Sequence, residues 1–291
     1  MYFSIKSLNK ATLVMVTVAL TAGTLVSSWA AGTVTVKGSD TMVILGQQWA
    51  ETYMKKNPSV KIQVTGGGSG TGIAALINGT TDICEASRPM KDQEKNDLKA
   101  KRNAETVEIP VALDGLAIFV NAKNPVKVLT MEQLKGIYTG EITNWNQVGG
   151  GNAPIILYGR ENNSGTYVFF KEHILKNEDY APTTQTLPGT AAVINAVAKD
   201  AKGIGYGGIA YGKGIKHLLV KKDANAPAIE PTMNNVLSGQ YPLSRYLYWY
   251  VAGTPTGDIK KFADWVLSKE GQAVVKDVGY YPLPVKKAKK K

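Results

Sequence analysis

Three times this chain passes from a short apolar strand, through a polar turn of Ser, Thr, Asp or Gly, into a helix, and that order most restricts what it can fold into. Val34 and Val36 lead into Ser39, Asp40 and Thr41, after which Leu45, Trp49 and Tyr53 recur every four residues on one helix face. Val60, Ile62 and Val64 alternate as a strand ahead of the turn Gly68 to Gly72, and Ile73 to Ile77 make a short helix closed by Asn78 and Gly79. Ile155 to Tyr158 read as a strand before the polar run Arg160 to Thr166 and the apolar helix beginning at Tyr167. The alternation predicts a mostly parallel sheet with helices on both faces. Ligands of such sheets gather at the carboxyl ends of the strands, where these turns lie.

The first N–H groups of a helix have no partner within it and carry a partial positive charge. Ser164 is a good N-cap, Gly165 admits close approach to the backbone, and Arg160 stands four residues upstream with a planar fork. An oxyanion is the natural guest of such a turn. Ser39 to Thr41 and Ser69 with its flanking glycines repeat the chemistry, so the three together suggest one enclosed tetrahedral anion. The alternative is three ordinary helix caps, since these residues are simply preferred there.

The remaining segments set the frame. Lys91 to Glu105 is charged and reads as an exposed helix and loop, and Val107 to Val120 is long and apolar, broken by Pro110 and by Asp114 and Gly115. Tyr246 to Val251 is a second strand of this kind. These two strands are expected to form a hinge, with a second lobe inserted between them that holds Leu134 to Tyr138, the Arg160 turn, a helix near Ala191 to Ala198, and Ile215 to Val220. At the start, Lys6 and Lys10, the apolar stretch Ala11 to Val26 and the small residues around Ala30 and Ala31 predict a cleaved signal peptide over 1–31. No Cys follows it to carry a lipid anchor.

The formal charge of +11 invites a nucleic-acid partner until its placement is considered. Two lysines belong to the leader and five crowd the end at Lys286, Lys287, Lys289, Lys290 and Lys291, leaving a mildly basic body. No nucleic acid is expected. The only cysteine, Cys84, lies in an apolar strand and reads as a small core residue. His173 and His217 stand alone, so no metal-ligand spacing is present. Gly203 to Gly208 matches the dinucleotide fingerprint, but the glycine-rich stretch after it is a poor helix, and the Gly66 to Gly72 turn lacks the Lys-Ser/Thr ending of a P-loop.

In order and spacing, Gly38 to Thr41, Gly68 to Gly72, Ala86 to Arg88, Leu129 with the run Gly136 to Trp145, Arg160 to Thr166 and Tyr241 to Arg245 resemble the phosphate-binding proteins of bacterial ABC importers. The resemblance implies an α/β, two-lobed periplasmic-binding-protein-like fold of type II, each lobe a mixed, mostly parallel sheet flanked by helices, on a two-strand hinge. Residues 32–114 and 248–285 would form the first lobe and 115–247 the second, ahead of the lysine-rich tail at 286–291. It further implies a periplasmic, monomeric, non-enzymatic binder that closes over inorganic phosphate without cofactor or metal and delivers it to a membrane permease. A binder of another oxyanion, such as sulfate, is one alternative. A secreted phosphatase is another, though neither a nucleophile with a base nor a two-metal carboxylate cluster is visible.

Carried over by position, Arg160, Ser164, Gly165 and Thr166 would be the second lobe's half of the site, and Ser39, Asp40, Thr41, Ser69, Ser87 and Arg88 the first lobe's. Better-known members of the family have, at the place of Arg88, an aspartate that accepts the phosphate's proton, so either another carboxylate takes over here or the selectivity differs. Asp114 is the first choice, because it interrupts an apolar strand where a buried acid needs a reason, with a salt bridge to Arg88 as its alternative. Asp40 is the second, with helix capping as its alternative. The family also often has an acid at the place of Asn162 that steadies the arginine.

Overall fold

The computed structural model describes residues 32–284, so the expected leader at 1–31 and the lysine tail at 286–291 lie outside the described residues. β1 (Thr33–Gly38) buries Val34 and Val36 on one face, and α1 (Val43–Lys56) buries Leu45, Trp49 and Tyr53 along one stripe. Asn57 ends α1 by donating its side-chain amide to Tyr53 O at 3.0 Å. β2 (Lys61–Thr65), α2 (Ser69–Asn78) and β3 (Ile83–Ala86) follow, α2 closing on Gly79 in the left-handed region at φ 74°. The charged stretch forms α3 (Asp92–Arg102), which buries only Leu98, and leads into β4 (Thr106–Val120).

The middle of the chain supplies β5 (Val128–Thr130), α4 (Met131–Thr139), β6 (Ile156–Arg160), α5 (Gly165–His173), β7 (Gln185–Leu187), α6 (Gly189–Lys199) and β8 (Gly203–Gly208). β9 (Lys216–His217), β10 (Leu219–Lys221) and α7 (Met233–Leu237) precede β11 (Ser244–Ala252), α8 (Gly257–Leu267) and α9 (Lys269–Val278).

The main sheet has the order β2-β1-β3-β11-β4-β8-β6-β7, with β9 also on β4. β1 is parallel to β2 and β3, and β6 is parallel to β7 and β8. Between these groups β11 and β4 run antiparallel to their neighbours, so the sheet is more mixed than strand and helix alternation alone predicts. The reason is the connection: β11 returns from the inserted segment and pairs with β4 in the opposite direction. Residues Thr106 to Gly115 of β4 pair with β11, whereas Leu116 to Val120 pair with β8. One strand thus belongs to both parts of the sheet.

Of the four buried apolar clusters among the described residues, the two largest mark the two lobes. Trp49, Trp249, Phe262, Val111 and Ala112 belong to one, and Leu116, Ile118, Tyr138, Phe170 and Tyr206 to the other. In its second half β4 is covered on both faces, with Ala117 and Phe119 packed against Val193 and Val197 of α6, which explains its unbroken apolar run. The run Gly203 to Gly208 is β8 itself. A Cβ on Gly205 would stand 2.7 Å from Val193 and Val197, so the glycine lets α6 lie close against the strand. Cys84 is buried in β3. No helix among the described residues is long and apolar enough to cross a membrane.

Candidate functional site

Five hydroxyl side chains converge at the carboxyl ends of the strands, with that of Ser164 beside them in the turn before α5. Ser39 and Thr41 follow β1, Ser69 opens α2, Ser87 follows β3, and Ser164 and Thr166 sit at the start of α5; all are at most 2% exposed. Ser39 Oγ donates to Ser87 Oγ at 2.9 Å, and Ser87 Oγ lies 3.4 Å from both Ser69 Oγ and Thr166 Oγ1. Thr166 Oγ1 is 2.7 Å from Thr41 Oγ1, which joins the second lobe's helix to the first lobe's turn. Such contact demands a glycine before Thr166. A Cβ on Gly165 would stand 2.3 Å from Ser69 Oγ.

Two buried arginines flank this cluster, each held by a carboxylate. Arg160, 1% exposed, donates through Nη2 to Asp40 Oδ2 at 2.6 Å and through Nη1 to Thr190 Oγ1 at 2.9 Å. Its Nε is buried with no partner. Arg245 donates through Nε and Nη2 to Asp114 Oδ2 at 2.9 and 2.8 Å, through Nη1 to Ser87 O at 3.1 Å, and through Nη2 to Thr166 Oγ1 at 3.1 Å. Its guanidinium also lies 5.1 Å from the centre of the Phe169 ring. Behind Arg160 stands Tyr206, whose phenol accepts from Arg160 N at 3.4 Å and is pushed above the usual tyrosine range by burial. Among the described residues no group of three His, Cys, Asp or Glu side chains is placed to hold a metal ion.

The structure brings together Ser39, Thr41, Ser69, Ser87, Gly165 and Thr166, with Arg160 beside them. Arg88 bonds none of these hydroxyls. Its guanidinium turns away from the hydroxyls and makes a two-pronged pair with Glu94 at 2.8 and 2.7 Å, because α3 places that acid beside it. Asp114 is accordingly not paired with Arg88; it faces Arg245 across the β4–β11 ladder, and its other oxygen accepts from Ile209 N at 3.0 Å. Asp40 caps no helix, since α1 begins after Met42 without a side-chain cap. Its carboxylate instead joins Gly67 N, at 2.8 Å, to Arg160. Ser164 does act as a helix cap, accepting from Thr166 N at 3.2 Å and Tyr167 N at 3.3 Å.

Arg245 is the residue that reading the chain for helix starts passes over. It lies on a strand, and its role shows only when Asp114 is asked which cation balances it.

A model of the PBP superfamily domain matches residues 26–270. The phosphate-binding protein PstS of Pseudomonas aeruginosa is 38% identical over 281 residues, covering 91% of this chain and 87% of that protein. The phosphate-binding protein PstS of Bacillus subtilis is 33% identical over 256 residues, covering 87% and 82%. Among solved structures, a substrate-binding protein assigned to a phosphate ABC transporter of Clostridium perfringens, with bound phosphate, superposes with a TM-score of 0.79 at 32% identity. It matches 87% of this chain and 100% of that one. An ABC-type phosphate transport receptor from Vibrio cholerae gives a TM-score of 0.69 at 31% identity over 86% of this chain and 100% of its own.

Proposed function

This chain belongs to the PBP superfamily and to the PstS family within it, and on that premise we propose that it is an exported solute-binding protein that encloses inorganic phosphate between its lobes and delivers it to the permease of an ABC importer. The observation that carries this reading is the buried cluster of hydroxyls and arginines contributed by both lobes. An anion taken out of water must recover partners for every oxygen from fixed donors. Ser39, Thr41, Ser69, Ser87 and Thr166 supply neutral donors, and Arg160 and Arg245 supply charged ones. The buried, unpartnered Nε of Arg160 is a donor whose desolvation costs about 1 to 3 kcal/mol, which an anion oxygen would recover.

Asp114 spends both oxygens on Arg245 and Ile209 N–H, which suits a residue that aims the guanidinium at Thr166 better than one that meets the ligand. Closure follows from the geometry, because only the closed state offers donors of both lobes to one anion. β4, shared by both parts of the sheet, and the strand entry at Leu243, whose carbonyl accepts from Leu116 N at 2.9 Å, are the hinge in this reading.

Isothermal titration of the purified protein with phosphate, sulfate, molybdate and a phosphate monoester tests it. Phosphate is expected to bind with sulfate excluded, and a protein that takes sulfate or the ester in preference refutes the assignment. Intact mass of the exported protein tests processing near Ala30 or Ala31, and light scattering tests the monomer.

A further inference from the structure

Asn163 lies outside the hydroxyl cluster, on the turn between β6 and α5, and reaches across to the glycine turn before α2. Its Nδ2 donates to Gly67 O at 3.0 Å and to Thr71 Oγ1 at 3.1 Å, and its carbonyl accepts from Gly70 N at 2.9 Å. Three hydrogen bonds therefore join the second lobe's turn to the first lobe's. The glycines of that turn make room for them. A Cβ on Gly68 would stand 2.7 Å from Asn163 O, and one on Gly70 would stand 3.2 Å from it. Gly67 and Gly68 also take φ of 112° and 89°, which other residues rarely adopt.

The turn that reads in the sequence as an anion cradle thus has the carbonyl of Gly67 and the N–H of Gly70 committed to the opposite lobe. We propose that Asn163 is a positioning residue, a latch that holds the lobes together from outside the anion site and so sets how long the ligand stays. The bonds it makes are neutral and its side chain remains exposed, so water competes for them and the latch is reversible. Apparent affinity scales with the fraction of protein in the binding-competent state, so a residue that touches no ligand still tunes it. The ligand arm of this proposal rests on the phosphate reading; the closure arm does not.

Asn163→Ala, Asn163→Asp and Thr71→Val, with the Asn163→Ala/Thr71→Val double variant, test it in two measurements. Small-angle scattering without phosphate is expected to show a larger mean radius of gyration for both Asn163 variants, since each loses the Nδ2 donor. Stopped-flow dissociation of phosphate is expected to accelerate by about three- to tenfold in both, with association within about twofold of the parent. Thr71→Val is expected to act in the same direction but less, and to add nothing to Asn163→Ala because the two share a bond. Parental scattering in Asn163→Ala overturns the latch whatever phosphate does, and so does parental dissociation in a protein that binds phosphate. If the parent binds no phosphate, the functional reading falls while the scattering still decides the latch.

Discussion

Replacing Asp114 by Asn keeps the size and shape of a wholly buried side chain and removes its charge. In the native arrangement Oδ2 accepts from Arg245 Nε and Nη2 at 2.9 and 2.8 Å, and Oδ1 accepts from Ile209 N at 3.0 Å. An amide has only one acceptor oxygen. Turned toward Arg245 it strands Ile209 N–H, and turned the other way it sets an NH2 against a guanidinium that is 6% exposed. In either orientation Arg245 loses its counter-charge, and breaking a buried pair in this way costs about 3 to 5 kcal/mol. For a chain of this size about 1 kcal/mol moves the melting midpoint by roughly 2 to 4 °C, so the midpoint should fall by roughly 6 to 20 °C. Phosphate affinity should fall by more than about tenfold, because the guanidinium is no longer aimed at Thr166. The double variant Asp114→Leu/Arg245→Met should regain much of the stability, since an apolar pair replaces the buried charges, yet it should not regain binding. Calorimetry gives the midpoint and titration the affinity. A midpoint within about 2 °C of the parent, together with unchanged affinity, would refute the pairing argument.

Arg160→Ala should weaken phosphate binding by more than about tenfold in titration, as one partner of a buried charged contact is removed, and Arg160→Lys should recover little because an ammonium has no fork. Arg88→Ala should lower thermal stability, by on the order of 2 kcal/mol for its bonds to Glu94, yet leave phosphate affinity within about twofold of the parent. Glu85 is fully buried, with one oxygen unpartnered and the other 3.1 Å from Trp249 Nε1, and burial pushes its carboxyl up to about 8. The folded state therefore keeps a proton that the unfolded chain releases near 4.5, and the stability this contributes is present below that pH and lost as pH rises through about 8. In melting series across that window, Glu85→Gln should lose less stability with rising pH than the parent; parallel curves would show that Glu85 does not titrate there.

Much of the frame could be read from residue order because local chemistry dictates it. The period-four stripe of α1, the alternation in β2 and the Ser164 cap of α5 all depend on neighbours within one turn or one strand. The long apolar run from Val107 also read as one continuous strand, which β4 is. The partners of the charged side chains could not be read this way. Arg88 looks like a site residue because it follows Ser87, but a side chain's direction depends on which carboxylate its neighbours bring near, and α3 brings Glu94. The glycine turn before α2 has the same ambiguity. Glycines that admit an anion to the backbone and glycines that admit Asn163 are identical in sequence.

The pairing of Asp114 with Arg245 shows what would have resolved the charged residues. A buried acid inside an apolar strand requires a cation, and on a sheet the nearest candidates stand directly across the ladder rather than nearby in sequence. Asp114 and Arg245 are register partners, separated by the entire inserted lobe in sequence. On this side of a bulge at Val111, Leu247 and Ala112 are register partners that both enter the first core, and Arg245 and Asp114 follow two residues on. Deducing the pair therefore needs the strand adjacency first, and that adjacency depends on β11 returning beside β4 rather than pairing within its own segment. At this strand pair topology and chemistry meet. The bond that balances Asp114 also aims Arg245 at Thr166, so the strand that links the lobes carries the counter-ion of the second arginine at the site.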